Sequence, residues 1–401
     1  MPIPTPFHSR TSAHCESYEW RNWSGYLSAS VYEPSHEREY FAIRNSAALI
    51  DVSPLFKYEI SGPDAARVVD RIITRDVTRC RVGQVLYSPW CDEEGKVIDD
   101  GTIARLDDNH FRITAADPNL RWFEDVAYGF EAQVANVSQD LAALSLQGPH
   151  SRNILRQVVS GIDFDRLGYF RLDRGEVTRD EVAGFPITVT RTGYTGDLGY
   201  ELWIRPEHAE QLWDCLLEMG AGYGLLPAGI VALDIARIEA GLLLIEVDYI
   251  SAHKARIEEQ KSSPYEIGLG WAVALDGTDF IGRNALKGEK VRGSKWTFVG
   301  LHIDWVDLER LYGAVDLPPQ VAGRASRLSV PIYKNGRQIG QATSRTFSPI
   351  LKQYIAIGTV LSEHANLGAQ VQVEVTVEYS REKANATIVK TPFFDPERKR
   401  K

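Results

Sequence analysis

A glycine-rich turn at residues 191–199 separates two segments in which apolar and polar residues alternate. The segments read FPITVT and LGYELWI, so their alternation predicts two β-strands joined by the turn. In the second strand Leu202 shares one face with its apolar neighbours, while Glu201 and Trp203 share the opposite face. The stretch therefore predicts a sheet that packs one face on a core and carries a carboxylate on the other.

Glu201 has two interpretations as a strand residue. A glutamate on a strand is ordinarily exposed to solvent. The glycines of the preceding turn, Gly193, Gly196 and Gly199, also allow a ligand or another backbone to approach closely. A partly desolvated carboxylate beside an indole suits two adjacent N–H donors, such as those of a pterin ring. The strand pattern alone leaves both interpretations open.

The elements around this turn predict an α+β architecture. Residues 55–62 form a strand pattern, and a run with helical spacing follows it. Residues 84–106 predict two strands joined by a turn at 92–95, and 110–116 predict another strand. Residues 206–220 predict a helix after the glycine turn. Helices and antiparallel strands mixed in this way indicate two α+β units of similar style.

The last quarter of the chain has a different pattern. Residues 297–390 consist of short strand-like runs separated by turns, with a hairpin signal at Asn335 and Gly336. This pattern predicts an all-β third domain.

Charge and cysteine content narrow the function. The formal net charge of -9 argues against nucleic acid as a partner. The four cysteines form no C-x-x-C pair and no disulfide framework, which fits a reducing compartment. The N-terminus has no apolar signal-peptide region, and no apolar run approaches the length of a membrane span, about 18 residues. We therefore predict a cytoplasmic protein with no membrane partner.

Several catalytic signatures are absent from the sequence. It contains no dinucleotide fingerprint, no phosphate-binding P-loop, no zinc-protease motif and no G-x-S-x-G elbow. The nine histidines never cluster at the spacing of metal ligands, so we predict no metal site. One acidic pair remains, Asp99 and Asp100 in the strand pattern GKVIDDGTIARL. Their side chains point to opposite sides of that strand, so at most one enters a given cleft.

The order and spacing of nine motifs resemble the glycine-cleavage T-protein (aminomethyltransferase) family and its folate-dependent demethylase branch. The motifs are LIDVSPL (49–55), LYSPWCDEEGKVIDD (86–100), LSLQGP (144–149), RTGYTGDLGYEL (191–202), PAGIVALDIARIEAGLLL (227–244), SPYEIGLGWAV (263–273), DFIGRNAL (279–286), IGQATSRTFSPIL (339–351) and TPFF (391–394). The resemblance implies a three-domain ring in which tetrahydrofolate occupies the centre. Two domains are α+β and ferredoxin-like, and the C-terminal domain is an antiparallel β-barrel.

The resemblance also implies domain limits. The first, folate-binding α+β domain comprises 1–54 and 143–248, the second comprises 55–142 and 249–285, and the barrel comprises 286–401. Residue roles follow from the matched motifs. Asp100 and Tyr87 are the predicted catalytic residues, and the predicted cofactor-binding residues are Glu201, Tyr194, Arg237 and Trp203. For Arg237, a structural ion pair is an equal alternative to a ligand role.

The departures from the family pattern fall at positions that the resemblance places around the one-carbon donor. Leu233 stands where the family has an arginine, and Thr114 and Asp117 stand where it has asparagines. Pro54 and Leu55 replace a His-Met pair. A longer segment, 248–266, replaces a short linker. The resemblance therefore implies a retained folate site beside a changed donor site.

The predicted function is that of a tetrahydrofolate-dependent methyltransferase that demethylates a small methylated substrate. An O-methyl aromatic acid is the first candidate, and a sulfonium or N-methyl compound is the next. The aromatic N-terminal segment and Trp90 suit such a flat or cationic donor. The alternative is an aminomethyltransferase with a lipoyl carrier protein as partner. A further alternative is a folate-binding protein without activity.

Overall fold

The computed structural model describes residues 1–179, 182–277 and 279–401. The helices in these residues are α1 (His8–His14), α2 (Glu37–Asn45), α3 (Ala65–Ile72), α4 (Leu120–Ala127), α5 (Ser151–Val158), α6 (Ala209–Gly220), α7 (Ile230–Glu239), α8 (Arg283–Arg292) and α9 (Trp305–Gly313). No helix among them is both long enough and apolar enough to span a bilayer.

The strands form one hairpin, two larger sheets and one closed barrel. In chain order they are β1 (Glu19–Trp23), β2 (Tyr26–Val31), β3 (Ala47–Asp51), β4 (Phe56–Ser61), β5 (Val85–Cys91), β6 (Val97–Asp107), β7 (His110–Ala115), β8 (Gln133–Asn136), β9 (Ala142–Gln147), β10 (Val159–Ser160), β11 (Leu172–Arg179), β12 (Val182–Thr190), β13 (Gly199–Ile204), β14 (Leu225–Pro227), β15 (Trp296–Ile303), β16 (Val330–Lys334), β17 (Arg337–Ser348), β18 (Gln353–Leu361), β19 (Gln370–Val377) and β20 (Ser380–Val389).

The seven-stranded sheet has the order β10-β11-β12-β13-β9-β3-β14. One face packs its apolar residues, including Leu144, Tyr200 and Leu202, against α5 and α6. Because side chains alternate along a strand, Glu201 and Trp203 point to the other face, as the sequence pattern predicts. This second face therefore carries the predicted cofactor-binding glutamate, and its apolar residues, such as Ile50 and Trp203, pack with α2 and α7.

The five-stranded sheet has the order β5-β6-β7-β4-β8 and is antiparallel throughout. Its core face packs Ile103, Phe111 and Ile113 with the apolar residues of α3 and α4. The opposite face carries Asp100 and Arg112, which lie on the neighbouring strands β6 and β7. The five-stranded sheet thus buries one face in its own core and presents these polar residues on the other.

The C-terminal unit is a closed barrel of six strands in the order β15-β18-β17-β16-β19-β20. The prediction of an all-β unit was wrong in one respect, because α9 lies within it and packs on β20. Asp304 begins this helix by accepting hydrogen bonds from the backbone N–H groups of Val306 and Asp307. Leu308 and Leu311 then face the barrel core, a short helical pattern that the surrounding strand signals obscure.

Each unit contacts the other two. The guanidinium of Arg112 lies 4.4 Å from the centre of the Trp203 ring, across the two sheets. Arg237 of α7 donates to Ser344 of the barrel, and Phe298 of the barrel packs against a cluster that includes Cys91. The predicted fold class, two α+β units with a C-terminal β-barrel, is confirmed. The predicted limits of the three domains stay a prediction.

A buried ion pair anchors the first unit to the barrel. Arg44 of α2 donates to the Glu239 carboxylate at 2.9 Å through Nε and at 2.5 Å through Nη2, and both side chains are fully buried. Glu239 also accepts hydrogen bonds from Tyr40 and from Ser348 of the barrel, each at 2.5 Å. Because every charge is paired, the contact is tolerated in the interior, and removal of one partner leaves a buried charge.

Candidate active site

Asp100 lies on β6 and accepts hydrogen bonds from two tyrosine hydroxyls. Tyr87, on the adjacent strand β5, donates to Oδ2 at 2.5 Å, and Tyr249, in the segment after α7, donates to Oδ1. Burial raises the pKa of the Asp100 carboxyl above its usual value, although the two tyrosine hydrogen bonds oppose the shift. The structure therefore places a partly buried acid between two phenols, an arrangement in which the acid can exchange a proton with its neighbours.

Asp99 points to the opposite side of β6, as the sequence predicts. Its carboxylate accepts from the Asn119 side-chain amide at 2.8 Å and from the backbone N–H groups of Asp100 and Asp117. Burial raises its pKa well above the usual value. Asn119 also accepts from the Trp90 indole at 3.2 Å. Trp90 is fully buried in the core of the five-stranded sheet, so the expectation that it suits a donor is wrong for this structure.

Glu201 faces the space between the two sheets and is held by threonine hydroxyls. Thr192, in the glycine turn, donates to Oε2 at 2.5 Å, and Thr190 lies 3.4 Å from the same oxygen. The other oxygen, Oε1, has no hydrogen-bond donor among the described residues. Burial raises the pKa of the Glu201 carboxyl, although the Thr192 hydrogen bond and the Arg112 charge oppose the shift. The site thus offers one oriented acceptor atom that its own residues leave unused.

Arg112 is a functional candidate that the sequence reasoning missed. It is 5% exposed, stacks on the Trp203 ring, and lies within electrostatic range of Glu59, Glu201 and Arg174. In the described part of the chain its guanidinium has no hydrogen-bond acceptor. Burial lowers its pKa to about 10, so it remains a cation at neutral pH. The signal in the sequence was an arginine within the strand pattern HFRITA.

Two further predicted cofactor residues, Tyr194 and Trp203, have their polar groups occupied within the chain. The Tyr194 hydroxyl donates to the Leu243 carbonyl oxygen, and the Trp203 indole donates to the Thr190 hydroxyl at 3.2 Å. Burial raises the pKa of the Tyr194 phenol, and the charges of Asp100 and Arg237 both act on it. Tyr194 therefore lies within electrostatic range of both residues, and its ring rather than its hydroxyl is available for contact.

Arg237 is fully buried and has four hydrogen-bond acceptors. It donates to Asp234, to Asp248, to the Leu242 carbonyl oxygen and to the Ser344 hydroxyl. Burial disfavours the cation, but the two carboxylates outweigh this effect and raise the pKa of Arg237. This geometry matches the structural ion pair that the sequence left open, and the cofactor-binding role of Arg237 stays a prediction.

The structure therefore brings Asp100, Tyr87 and Tyr194 together and places Glu201 with Trp203 on the facing sheet. Tyr249 is a second residue that the sequence reasoning missed, although the long segment that contains it was noted as a departure. Within the ranges that the structure describes, no three His, Cys, Asp or Glu side chains are arranged to hold a metal ion.

Comparison with known proteins places this arrangement in a class. Residues 7–277 match the GCVT N-terminal domain, and residues 319–395 match the glycine cleavage T-protein C-terminal barrel domain. An aminomethyltransferase of Desulfitobacterium hafniense is 34% identical over 84% of this chain and 84% of its own length. The fold also matches the glycine cleavage system aminomethyltransferase T of Bartonella henselae, with a TM-score of 0.81, 24% identity, and 98% and 99% of the two chains covered.

A trimethylamine-oxide aldolase of Ruegeria pomeroyi is 33% identical over all of this chain, which spans about half (48%) of that relative's length. Fold and matches together define a folate-dependent one-carbon transferase. Within that class, the chain belongs to the glycine-cleavage T-protein, or aminomethyltransferase, family.

Proposed function

We propose that the protein is a tetrahydrofolate-dependent demethylase that acts on a small methylated substrate in the cytoplasm. The observation that carries this proposal is the Asp100 carboxyl group, which two tyrosine hydroxyls hold at the site. Bound tetrahydrofolate would supply the nitrogen nucleophile: an N–C bond forms, the carbon–heteroatom bond of the donor breaks, and the nitrogen's proton ends on an ether oxygen that leaves.

The residues around Glu201 fit one edge of a pterin. Glu201 Oε1 lacks a donor within the described chain and would accept the neighbouring N–H groups of the ring. Arg112, whose guanidinium has no acceptor among the residues that the structure describes, would donate to the carbonyl oxygen on the same edge. The Arg112 charge also opposes the effect of burial on the pKa of Glu201 and so favours its ionised form. An acceptor and a donor side by side match the pattern of that edge.

Asp100 and its tyrosines would manage the proton. Burial raises the pKa of Asp100, which favours uptake of a proton at one of its carboxyl oxygens. Tyr249 or Tyr87 would then donate its own proton to the leaving heteroatom and regain one from Asp100. For an ether, this transfer is essential because an unprotonated alkoxide or phenoxide leaves poorly. The number of protons balances, and no oxidant is required.

An O-methyl aromatic acid is the first donor candidate, followed by sulfonium or N-methyl compounds. The name of the Ruegeria pomeroyi relative supports an N-methyl compound as the second choice. The aminomethyltransferase relatives support the alternative, transfer of an aminomethyl group from a lipoyl carrier protein. A folate-binding protein without activity is the third possibility, and the raised pKa of Asp100 argues against it.

The deciding experiment follows the folate product. Purified protein is incubated with tetrahydrofolate and a panel of methoxybenzoates, methylated amines and sulfonium compounds, and 5-methyltetrahydrofolate is measured. A parallel reaction contains a lipoylated carrier with an aminomethyl group and measures ammonia and methylenetetrahydrofolate. Methyl product from the panel supports the demethylase, whereas methylene product alone supports the aminomethyltransferase.

A further inference from the structure

Trp271 is an exposed aromatic side chain beside the catalytic candidates. It lies in the short 3₁₀ turn Gly270–Ala272, and 62% of it is exposed. Its ring stacks with the Tyr87 ring, with 6.2 Å between centroids and 22° between planes. Since the Tyr87 hydroxyl donates to Asp100, the Trp271 ring adjoins the proposed site of proton transfer. Large apolar side chains at such positions provide flat contact area for a ligand.

Arg75 places a cation at the same aromatic surface. Its guanidinium carbon lies 5.4 Å from the centre of the Trp271 ring, and the side chain is only partly exposed. The Ser88 hydroxyl accepts a hydrogen bond from its backbone N–H at 3.3 Å. The neighbouring acid, Asp76, is already bonded to Thr78 and Arg79. In the described residues, therefore, the Arg75 guanidinium has neither a carboxylate partner nor a hydrogen-bond acceptor.

A guanidinium beside a flat aromatic ring favours one chemical class of ligand. A guanidinium binds a planar carboxylate through two parallel hydrogen bonds, and an indole stacks on an aromatic ring. A quaternary ammonium or sulfonium would instead meet an aromatic face near which a positive charge already lies. We propose that Arg75 and Trp271 bind a methyl donor that carries a carboxylate on an aromatic ring, with its methyl group directed toward Tyr87 and Asp100.

This inference rests on the proposed demethylase function and identifies the class of its donor. Tetrahydrofolate itself carries an aromatic ring and carboxylates, so its tail is the competing source of the same chemistry. The two sources differ in one measurable respect, because donor binding can be titrated without folate and folate binding without donor.

The test compares Arg75→Gln and Trp271→Leu with the wild-type protein. Arg79→Gln is the matched control, since the Arg79 side chain is 85% exposed, lies four residues from Arg75 and, unlike Arg75, is paired with Asp76. Titration calorimetry measures the dissociation constants of methoxybenzoate, methoxybenzamide and tetrahydrofolate separately. We expect Arg75→Gln to weaken methoxybenzoate binding about tenfold or more, as loss of a charge-assisted pair does, and to leave tetrahydrofolate binding within about twofold.

The neutral amide completes the test. In the wild type, methoxybenzamide binds about tenfold more weakly than methoxybenzoate, whereas Arg75→Gln binds both about equally. Failure of the wild type to bind methoxybenzoate overturns the inference, as does tighter binding of trimethylamine oxide or a sulfonium. Weakened tetrahydrofolate binding with unchanged methoxybenzoate binding also overturns it and assigns Arg75 to the folate tail. Failure of the wild type to bind any folate contradicts the proposed function instead.

Discussion

Tyr249 and Asp100 are 149 positions apart in the chain, yet the Tyr249 hydroxyl donates a hydrogen bond to Asp100 Oδ1. Tyr87 occupies the other carboxyl oxygen, so the acid bridges two phenols from different segments. Burial raises the pKa of both tyrosines well above the usual value, and the Asp100 charge adds to this effect. The tyrosines therefore stay protonated and are able to act as donors.

Asp100→Asn tests the proton-transfer role. We expect kcat to fall about 10²- to 10⁴-fold, the usual size of general acid–base catalysis, while the dissociation constant of tetrahydrofolate changes little. Stopped-flow kinetics and calorimetry measure the two quantities. Full activity of this variant would contradict the assignment of Asp100.

The same substitution has a predicted effect on stability. The folded-state pKa of Asp100 is raised, so between the unfolded value, about 3.9, and the folded value the native state binds more protons. The free energy of unfolding therefore falls as pH rises through that window. Asn does not titrate, so the free energy of unfolding of Asp100→Asn does not fall for this reason as pH rises. We expect the Tm of Asp100→Asn to exceed that of the wild type by roughly 2–4 °C at pH 8 and to approach it near pH 4.

Tyr249→Phe and Tyr87→Phe separate the two phenols. Both variants keep the ring and remove one hydrogen bond to Asp100. Loss of the phenol that delivers the proton should lower kcat about 10²-fold for an ether donor, and loss of the other phenol should lower kcat much less. A donor with an activated leaving group, such as a nitrophenyl ether, should restore most of the lost rate only in the variant that lacks the proton donor. If a variant loses the same factor in kcat with the ordinary ether as with the nitrophenyl ether, the phenol that it lacks positions the substrate or Asp100 and does not deliver the proton.

Glu201→Gln tests the pterin contact. The amide keeps the size of the side chain and removes its charge, so one acceptor of a charge-assisted pair is lost. We expect tetrahydrofolate affinity to fall about 10- to 100-fold, equivalent to about 1.5–3 kcal/mol, with a smaller change in kcat. Glu207→Gln, an exposed carboxylate paired with Arg205, is the control. Unchanged affinity in Glu201→Gln would contradict the contact.

Arg112→Gln tests the electrostatic support of Glu201. Tetrahydrofolate binding requires ionised Glu201, so affinity falls as pH drops through the Glu201 pKa, which burial raises. Removing the Arg112 cation raises that pKa further, so the decline should begin at a higher pH. The other groups that act on Arg112 are Glu59 and Arg174. Calorimetric titration from pH 5 to 8, with the exposed Arg205→Gln as control, measures the shift, and coincident profiles would contradict it.

Arg44→Met tests a part of the structure away from the reaction. It leaves the Glu239 carboxylate buried without its cation, although Tyr40 and Ser348 still donate to it. We expect a loss of about 3–5 kcal/mol in the free energy of unfolding, measured by denaturant titration. Arg38→Met is the control because it removes an arginine from an exposed ion pair, the one that Arg38 forms with Glu33. It should change the free energy of unfolding by less than about 1 kcal/mol.

Local sequence pattern correctly predicted the strands and helices that carry the site. Alternation placed Glu201 and Trp203 on the face opposite the core, and it separated Asp99 from Asp100 on β6. The pattern failed at α9, a nine-residue helix that Asp304 begins between two strand-like runs. The burial of Trp90 was also misjudged, since position in the chain does not reveal which aromatic packs in a core.

The sequence by itself determined which residue types face away from each core, because side-chain direction along a strand is a local property of the backbone. Only the tertiary structure decided which of these residues meet. Tyr249 reaches Asp100 and Arg112 reaches Trp203 because two sheets and a long segment pack together, and no local periodicity encodes such contacts between distant residues. The same packing places Arg75 beside Trp271 with no acceptor for its guanidinium in the described part of the chain, which makes that surface available to a ligand.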